Sequence, residues 1–154
     1  MKDIITFMAS EKVYIASDHN GNAARAYIIK MLQYSHEVED LGPFDYDGKV
    51  DYIDYAEKLC RKVILEDARG ILICGTGTGM SIVANRFSHI RAAIVTDRAT
   101  AALSREHNNA NVLVLGQWRT PLGAMDEIVF TWLNTPFGEE RHIKRLKKLE
   151  EFKP

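Results

Sequence analysis

The sequence predicts an α/β protein, on the basis of two features of the chain. Short apolar runs alternate with longer segments of helical periodicity about five times. Two of these runs, at 70–74 and 111–116, are apolar at nearly every position, which is typical of parallel strands covered by helices on both faces. We therefore expect a single-domain, doubly wound, Rossmann-like three-layer sandwich of about five parallel strands with helices on both faces.

The first half of the chain begins with a strand at 13–17 (VYIAS). The helix after it has apolar residues at helical spacing, namely Ala24, Tyr27, Ile28, Met31 and Leu32. A shorter strand is expected at 37–42 (EVEDLG), and Asp51 is a suitable N-cap for the next helix. That helix directs one apolar face inward, formed by Ile53, Ala56, Leu59, Cys60 and Val63. Cys60 is therefore expected to have a packing role.

The second half repeats the strand–helix alternation. Strands are expected at 70–74, 91–96 and 111–116, with a helix over roughly 98–107 between the last two. Thr120 and Pro121 form a suitable N-cap and first-turn pair. The helix that they open points five apolar residues inward: Leu122, Met125, Ile128, Val129 and Trp132. The final segment, about 138–152, is amphipathic, with Ile143, Leu146 and Leu149 on one stripe.

Length and composition exclude several classes of protein. The 154 residues fit one domain, which we place at 12–154 after a short N-terminal extension at 1–11. A net charge of −1 gives no general attraction to nucleic acid or to an anionic membrane, and no apolar run is long enough to span a bilayer. The two cysteines lack metal-site spacing and suit a reducing compartment, so we expect a cytoplasmic protein without a structural metal.

The segment 71–85, ILICGTGTGMSIVAN, places Cys74 at the end of a strand and before three glycines at alternate positions. It is not a dinucleotide fingerprint, a Walker A loop or a cysteine-phosphatase loop, because Met80 stands where two of these need glycine or arginine and no lysine follows. Backbone amides of Gly75, Gly77 and Gly79, with a helix expected from about Met80, would still form an anion site that favours a thiolate. Such a thiolate suits removal of a carbon-bound proton beside a carbonyl. The alternative is a small buried residue before a tight turn.

Several segments resemble one known family. They are SDHNG (17–21), DYIDYAEKL (51–59), GILICGTGTGMSIVANR (70–86), IRAAI (90–94), REHNNANVLVLG (105–116) and GEERHIKRL (138–146). In this order they are similar to ribose-5-phosphate isomerase type B, and to the related galactose-6-phosphate isomerase subunits more distantly. The glycine loop and the histidine–asparagine segment are specific to the family. The resemblance implies interconversion of ribose 5-phosphate and ribulose 5-phosphate, without a metal or organic cofactor.

The resemblance also implies roles for individual residues. Cys74 would be the base that moves a proton between C2 and C1, and the loop Gly75, Gly77, Thr78 and Gly79 would hold the enediolate oxygens. Thr76 and His107 would assist opening of the furanose ring. Asn108, Asp18 and His19 would contact the sugar or its phosphate, and Arg141 and Arg145 would bind the phosphate. The family is dimeric or tetrameric with sites built from two chains, so the last helix is expected to pack on a partner subunit.

Residue chemistry supports some of these roles independently of the family. Arg141 and Arg145 are four residues apart, so they share a helix face and could hold one dianion, although lysines on the same helix also suit a solvated surface. His107 is of the residue type that usually moves protons near neutral pH.

The chain also departs from the family pattern at two positions. Trp118 stands where an arginine is usual, with Arg119 one step later, and Ala99 stands where a tyrosine is usual. Met80 replaces the glutamate of the branch that lacks the cysteine, so this chain belongs with the cysteine-base branch. Two alternatives to a pentose phosphate isomerase stay open: an isomerase of a six-carbon sugar phosphate, such as allose or galactose 6-phosphate, and a sugar-phosphate sensor that binds without turnover.

Overall fold

The computed structural model of the protein describes residues 11–138 and 140–152. Its centre is one sheet of five parallel strands in the order β2-β1-β3-β5-β4. The strands are β1 Lys12–Ser17, β2 Glu37–Asp40, β3 Arg69–Cys74, β4 Ala92–Ile94 and β5 Val112–Gly116. Of the predicted N-terminal extension, residues 1–10 lie outside the described residues. The predicted parallel α/β sandwich is confirmed.

Helices follow the strands in the alternation that the apolar pattern predicts. Their bounds are α1 Asn22–Leu32, α2 Tyr52–Glu66, α3 Thr78–Ala84, α4 Arg98–Asn108, α5 Leu122–Asn134 and α6 Arg141–Glu151, with a short 3₁₀ turn at His19–Gly21 before α1. Every strand is parallel to its neighbours, so all strands end at one edge of the sheet, and the loops into the helices meet there. We call this the carboxyl edge and the opposite side the amino edge. In the part of the chain that the structure describes, no helix has the length and apolar character needed to cross a membrane.

The core lies in two layers, one on each face of the sheet. One layer joins the sheet to α1 and α5 and contains Ile15, Ile28, Leu113, Met125 and Trp132, all of them buried. The other joins it to α2 and α3 and contains Tyr14, Leu59, Cys60, Leu72 and Met80. Cys60 is thus a core residue, as its helical position indicates.

Helix starts are set by side chains at the carboxyl edge. Asp51 accepts the backbone N–H of Ile53 at 3.0 Å, which confirms it as the N-cap of α2. Asp97 caps α4 in the same way, and its hydrogen bonds with the backbone N–H and hydroxyl of Thr100 hold the pKa of its carboxyl below the ordinary value. The predicted cap at Thr120 is wrong. Pro121 occupies the cap position of α5, while the Thr120 backbone N–H is bonded to Gly116 and its hydroxyl makes no cap.

Some element ends differ from the prediction. The predicted strands 37–42 and 91–96 end earlier, at Asp40 and Ile94, because β2 and β4 are the edge strands and each pairs with only one neighbour. Ile53 and Leu122 were predicted to face inward but are 43% and 37% exposed. Both lie in the first turn of a helix, outside the two buried core layers. Helical spacing indicates which side of a helix is apolar, not which of its turns the core covers.

Candidate active site

Cys74 lies at the last position of β3, and its side chain faces the loop that follows. It is 6% exposed, and its Sγ accepts the backbone N–H of Gly77 at 3.1 Å. A donor aimed at sulfur stabilises negative charge on it. Both cysteines are buried in the same core layer, but Cys60 is fully buried within α2, and burial raises the pKa of its thiol to about 12. Cys74 is therefore the thiol that lies at the carboxyl edge beside the glycine loop.

The loop after Cys74 turns at Gly77, which has φ of +84°. Side chains other than glycine rarely adopt this conformation, with which the chain turns from the loop into α3. Helix α3 begins at Thr78, two residues before the predicted start near Met80, and Met80 is fully buried in the core. Thr76 is exposed, and its hydroxyl accepts the Thr78 backbone N–H at 3.3 Å. The loop thus presents a hydroxyl and several amides at the carboxyl edge.

Two aromatic rings pack on the glycines of this loop. A Cβ added to Gly75 would come within 2.8 Å of the Trp118 ring, and one added to Gly79 would come within 2.8 Å of the Tyr52 ring. Any side chain at either of these positions would therefore clash with the ring that packs on it. The sequence does not predict Tyr52 at the site, and Trp118 stands out in it only as a departure from the family pattern. No local pattern reveals either contact, because each joins segments far apart in the chain.

Asp18 and His19 follow β1 at the same edge. The Asp18 backbone N–H donates to the carbonyl of Ile73, which joins this turn to the strand that ends in Cys74. The Asp18 carboxylate is 5% exposed and accepts the backbone N–H groups of Asn20 and Gly21 at 2.8 and 3.1 Å. His19 Nδ1 accepts the backbone N–H of Val50 at 3.3 Å, and His19 Nε2 lies 3.2 Å from the side-chain nitrogen of Asn20.

The turn after β5 completes the carboxyl edge. The Gln117 side-chain oxygen accepts the backbone N–H of Ala24 at 2.9 Å, and the Gln117 backbone N–H donates to the carbonyl of Cys74 at 2.9 Å. Gln117 therefore joins β3, β5 and the start of α1, a structural role that the sequence analysis missed. Arg119 is exposed on the same turn, so the structure brings it to the edge where Cys74, Asp18 and His19 lie.

His107 and Asn108 lie at the opposite edge. Helix α4 starts at Arg98 after the end of β4 and runs back to Asn108, four residues before β5 begins. Its last turn is therefore at the amino edge. There the Arg91 guanidinium, at the start of β4, donates to the carbonyl of Asn109 at 2.9 Å. The His107 side chain is 34% exposed and Asn108 is exposed.

Helix α6 brings its arginines to this same amino edge. The Gly138 backbone N–H donates to the carbonyl of Glu106 at 2.8 Å just before α6, and Glu150 near its end lies 3.4 Å from the Arg91 guanidinium. Arg141 and Arg145 are both exposed. Arg141 lines an open groove with Glu106, Gly138, Glu140 and His142. Within one chain, then, α6 contacts α4.

The predicted site residues therefore form two groups. Asp18, His19, the Cys74 loop and Arg119 are at the carboxyl edge, whereas His107, Asn108, Arg141 and Arg145 are at the amino edge. Strand β3 separates the two edges by its length of six residues, roughly 20 Å at about 3.3 Å per residue. The two groups do not meet within one chain.

His142, at the amino edge, should make the stability of the protein depend on pH. Burial lowers the pKa of His142 below its ordinary 6.5, and the charges of His107, Arg141 and Arg145 lower it further. The Glu106 carboxylate raises it, but by less. A depressed pKa in the folded state means that the unfolded state binds more protons, so stability is lost as pH falls below about 6.5. We expect the melting temperature to fall between about pH 7 and pH 5, and to fall less in His142→Phe. Equal declines in melting curves of both proteins would contradict this.

Metal-binding side chains do not cluster in the described residues: no group of three histidine, cysteine, aspartate or glutamate side chains there is arranged to hold a metal ion. The carboxyl-edge site instead offers a thiol, backbone amides, hydroxyls, a carboxylate and an imidazole. These groups are suited to moving protons and to binding anions.

Comparisons with known proteins give consistent results. A family model described as ribose/galactose isomerase matches residues 13–149. The ribose-5-phosphate isomerase B of Escherichia coli (strain K12) is 35% identical over 141 residues, which are 90% of this chain and 94% of that protein. The solved ribose-5-phosphate isomerase B of Clostridium thermocellum matches with a TM-score of 0.87 at 42% identity, over 91% of this chain and 95% of the other. That of Mycoplasma genitalium, solved with bound ribulose-5-phosphate, matches with a TM-score of 0.87 at 38% identity, over 91% and 94%.

Proposed function

The chain belongs to the ribose/galactose isomerase family and is an isomerase, and we propose that it interconverts ribose 5-phosphate and ribulose 5-phosphate with Cys74 as the base. The observation that supports this role is the position of the Cys74 sulfur, at a sheet edge beside a glycine loop whose amide points at it. Interconversion of the two sugars needs a base that lies beside hydrogen-bond donors, since the hydrogen to be moved is bound to carbon next to a carbonyl.

The proposed chemistry is a proton transfer through an enediolate. In the open-chain aldose the Cys74 thiolate takes the proton from C2, and the electron pair of that bond forms the C1–C2 double bond while O1 gains the negative charge. The resulting thiol returns a proton to C1, and the proton of the C2 hydroxyl passes to O1 as C2 becomes the carbonyl. The net change moves one hydrogen from C2 to C1 and one from O2 to O1.

Charge on the enediolate oxygens would be stabilised by the loop after Cys74. The amides of Gly75 to Gly79 lie in a turn and the start of α3, where the first N–H groups have no intrahelical acceptor. The Thr76 hydroxyl is exposed in the same loop. Asp18 and His19, which follow the neighbouring strand, would orient the sugar.

Ring opening and phosphate binding would use the other group of residues. His107 and Asn108 would act on the furanose ring and its oxygens, and Arg141 and Arg145 would bind the phosphate, with Arg119 as a further candidate from the carboxyl edge.

Because the carboxyl-edge and amino-edge groups lie at opposite edges of the sheet, we infer that each site is shared by two chains of a homodimer or homotetramer. Large apolar side chains exposed on the helices and just after α6 support such contacts: Ile82, Phe130, Leu149 and Phe152. This arrangement would pack α6 on the partner.

Mixing of inactive subunits tests the shared site. We expect Cys74→Ala and His107→Ala homo-oligomers each to be nearly inactive, because every site lacks one group. After unfolding and refolding of an equal mixture, random pairing restores one intact site in each mixed dimer, so about a quarter of wild-type activity should return. Steady-state assay of the refolded mixture against separately refolded variants measures this. No recovery, with mixed dimers demonstrated by mass, would contradict a shared site.

Substrate identity is tested by comparing catalytic efficiencies. The proposed function predicts a higher kcat/KM for ribose 5-phosphate than for allose 6-phosphate or galactose 6-phosphate, and the reverse order would favour a six-carbon substrate. Binding of ribose 5-phosphate without turnover would identify a sensor instead. We also propose a cytoplasmic location, supported by two unpaired thiols in a chain of this composition.

A further inference from the structure

His142 contacts two of the residues assigned to catalysis and phosphate binding at once. Its ring stacks on the ring of His107, with centroids 4.4 Å apart and planes inclined by 18°. On its edge, His142 Nε2 accepts the Nε–H of Arg141 at 3.2 Å. The residue itself is 5% exposed, while His107 and Arg141 extend toward solvent. A buried imidazole therefore contacts both of these groups at the amino edge.

The hydrogen bond from Arg141 defines the charge and tautomer of this ring. An arginine Nε–H can only donate, so it needs an unprotonated nitrogen on His142 as acceptor. His142 is therefore neutral in this arrangement, with its proton on Nδ1. The groups that face it are His107 and Glu106 from α4 and Arg141 and Arg145 from α6. Burial and the charges of His107, Arg141 and Arg145 lower the pKa of His142, and the Glu106 carboxylate raises it by less. The environment thus keeps His142 in the form that Arg141 requires.

We propose that His142 is a positioning residue that holds the ring of His107 by stacking and the guanidinium of Arg141 by a hydrogen bond. This inference rests on the proposed function for the roles of His107 and Arg141. It goes beyond that function in coupling ring opening to phosphate binding through one buried side chain. Because the His107 ring and the Arg141 guanidinium are held in place before substrate binds, less conformational entropy is lost on binding.

Two substitutions separate the two contacts. His142→Phe keeps an aromatic ring for His107 but has no acceptor for Arg141, whereas His142→Gln keeps an acceptor near the position of Nε2 and has no ring. We expect His142→Phe to raise the KM for ribose 5-phosphate about 5- to 10-fold with kcat within about twofold. We expect His142→Gln to lower kcat about 3- to 10-fold with KM within about twofold. A residue needed only for folding would not change mainly KM in one variant and mainly kcat in the other.

Two readouts test the inference even if the protein proves not to be an isomerase. Calorimetry should show weaker binding of inorganic phosphate to His142→Phe than to wild type, with His142→Gln close to wild type. In NMR spectra the His107 ring protons should be shifted by the stacked ring in wild type and in His142→Phe, and should lose that shift in His142→Gln. Absence of isomerase activity in the wild type would refute the proposed function alone. Unchanged phosphate affinity and unchanged His107 shifts in both folded variants would overturn the positioning role.

Discussion

Replacing Cys74 by alanine should lower kcat for ribose 5-phosphate by about 10³-fold, within the range expected on loss of a general base. The substitution removes the only proposed group that can take a proton from C2, and water in its place is a far weaker base. The loop amides, Asp18 and His19 stay in position, so KM should change by no more than about threefold. Steady-state kinetics with purified protein in both directions measure the two constants.

The matched control is Cys60→Ala, which removes the other thiol of the chain. Cys60 is fully buried against the sheet, so its loss should lower the melting temperature and leave kcat unchanged. Cys74→Ser should also be strongly impaired, because a hydroxyl of nearly the same shape is not ionised near neutral pH. Cys74→Ala protein that is folded and retains more than about a tenth of wild-type kcat would refute the assignment of the base.

Replacing His107 by alanine should slow opening of the ribose ring more than proton transfer at carbon. Ribose 5-phosphate is mainly a closed ring, whereas ribulose 5-phosphate is acyclic, because its 5-hydroxyl is esterified and cannot close on C2. If His107 acts on the ring, isomerisation should fall about 10²-fold in His107→Ala. Exchange of the C1 hydrogen of ribulose 5-phosphate with solvent needs only Cys74 and the loop, so it should fall by less than about fivefold.

Both rates come from one experiment, in which ribulose 5-phosphate is incubated in D₂O and followed by NMR. His36→Ala is the control for loss of a histidine, since His36 is hydrogen-bonded to Ser35 before β2, at the amino edge and away from the groups assigned to the reaction. It should leave both rates unchanged. Exchange and isomerisation falling by the same factor in His107→Ala would place this residue in the carbon proton transfer itself.

The sheet could be predicted from the sequence because its strands are buried on both faces. A strand covered twice must be apolar at nearly every position, so GILIC and NVLVLG stand out from any helix or loop. The carboxyl-edge group follows from the same logic: once the strands are known, Asp18, Cys74 and Arg119 must emerge at one edge. Caps such as Asp51 are also local, since the side chain bonds within its own turn.

Other features depend on contacts between distant parts of the chain. The rings of Tyr52 and Trp118 reach the glycine loop from other segments, and Gln117 reaches α1. Thr120 has the residue type of a cap, yet the turn after β5 engages its backbone and moves the helix start to the next residue. Nor do residue types show that His142 stacks on His107, because that contact depends on how α6 packs against α4.

Solvent exchange at carbon tests the central claim most directly. With wild-type enzyme in D₂O, deuterium should enter C1 of ribulose 5-phosphate and C2 of the ribose 5-phosphate formed, because the Cys74 thiol exchanges its proton with solvent between removal and return. With Cys74→Ala, deuterium should enter neither carbon above the rate without enzyme. Rapid wild-type isomerisation that leaves both positions free of deuterium, or undiminished exchange in Cys74→Ala, would contradict proton transfer by this sulfur.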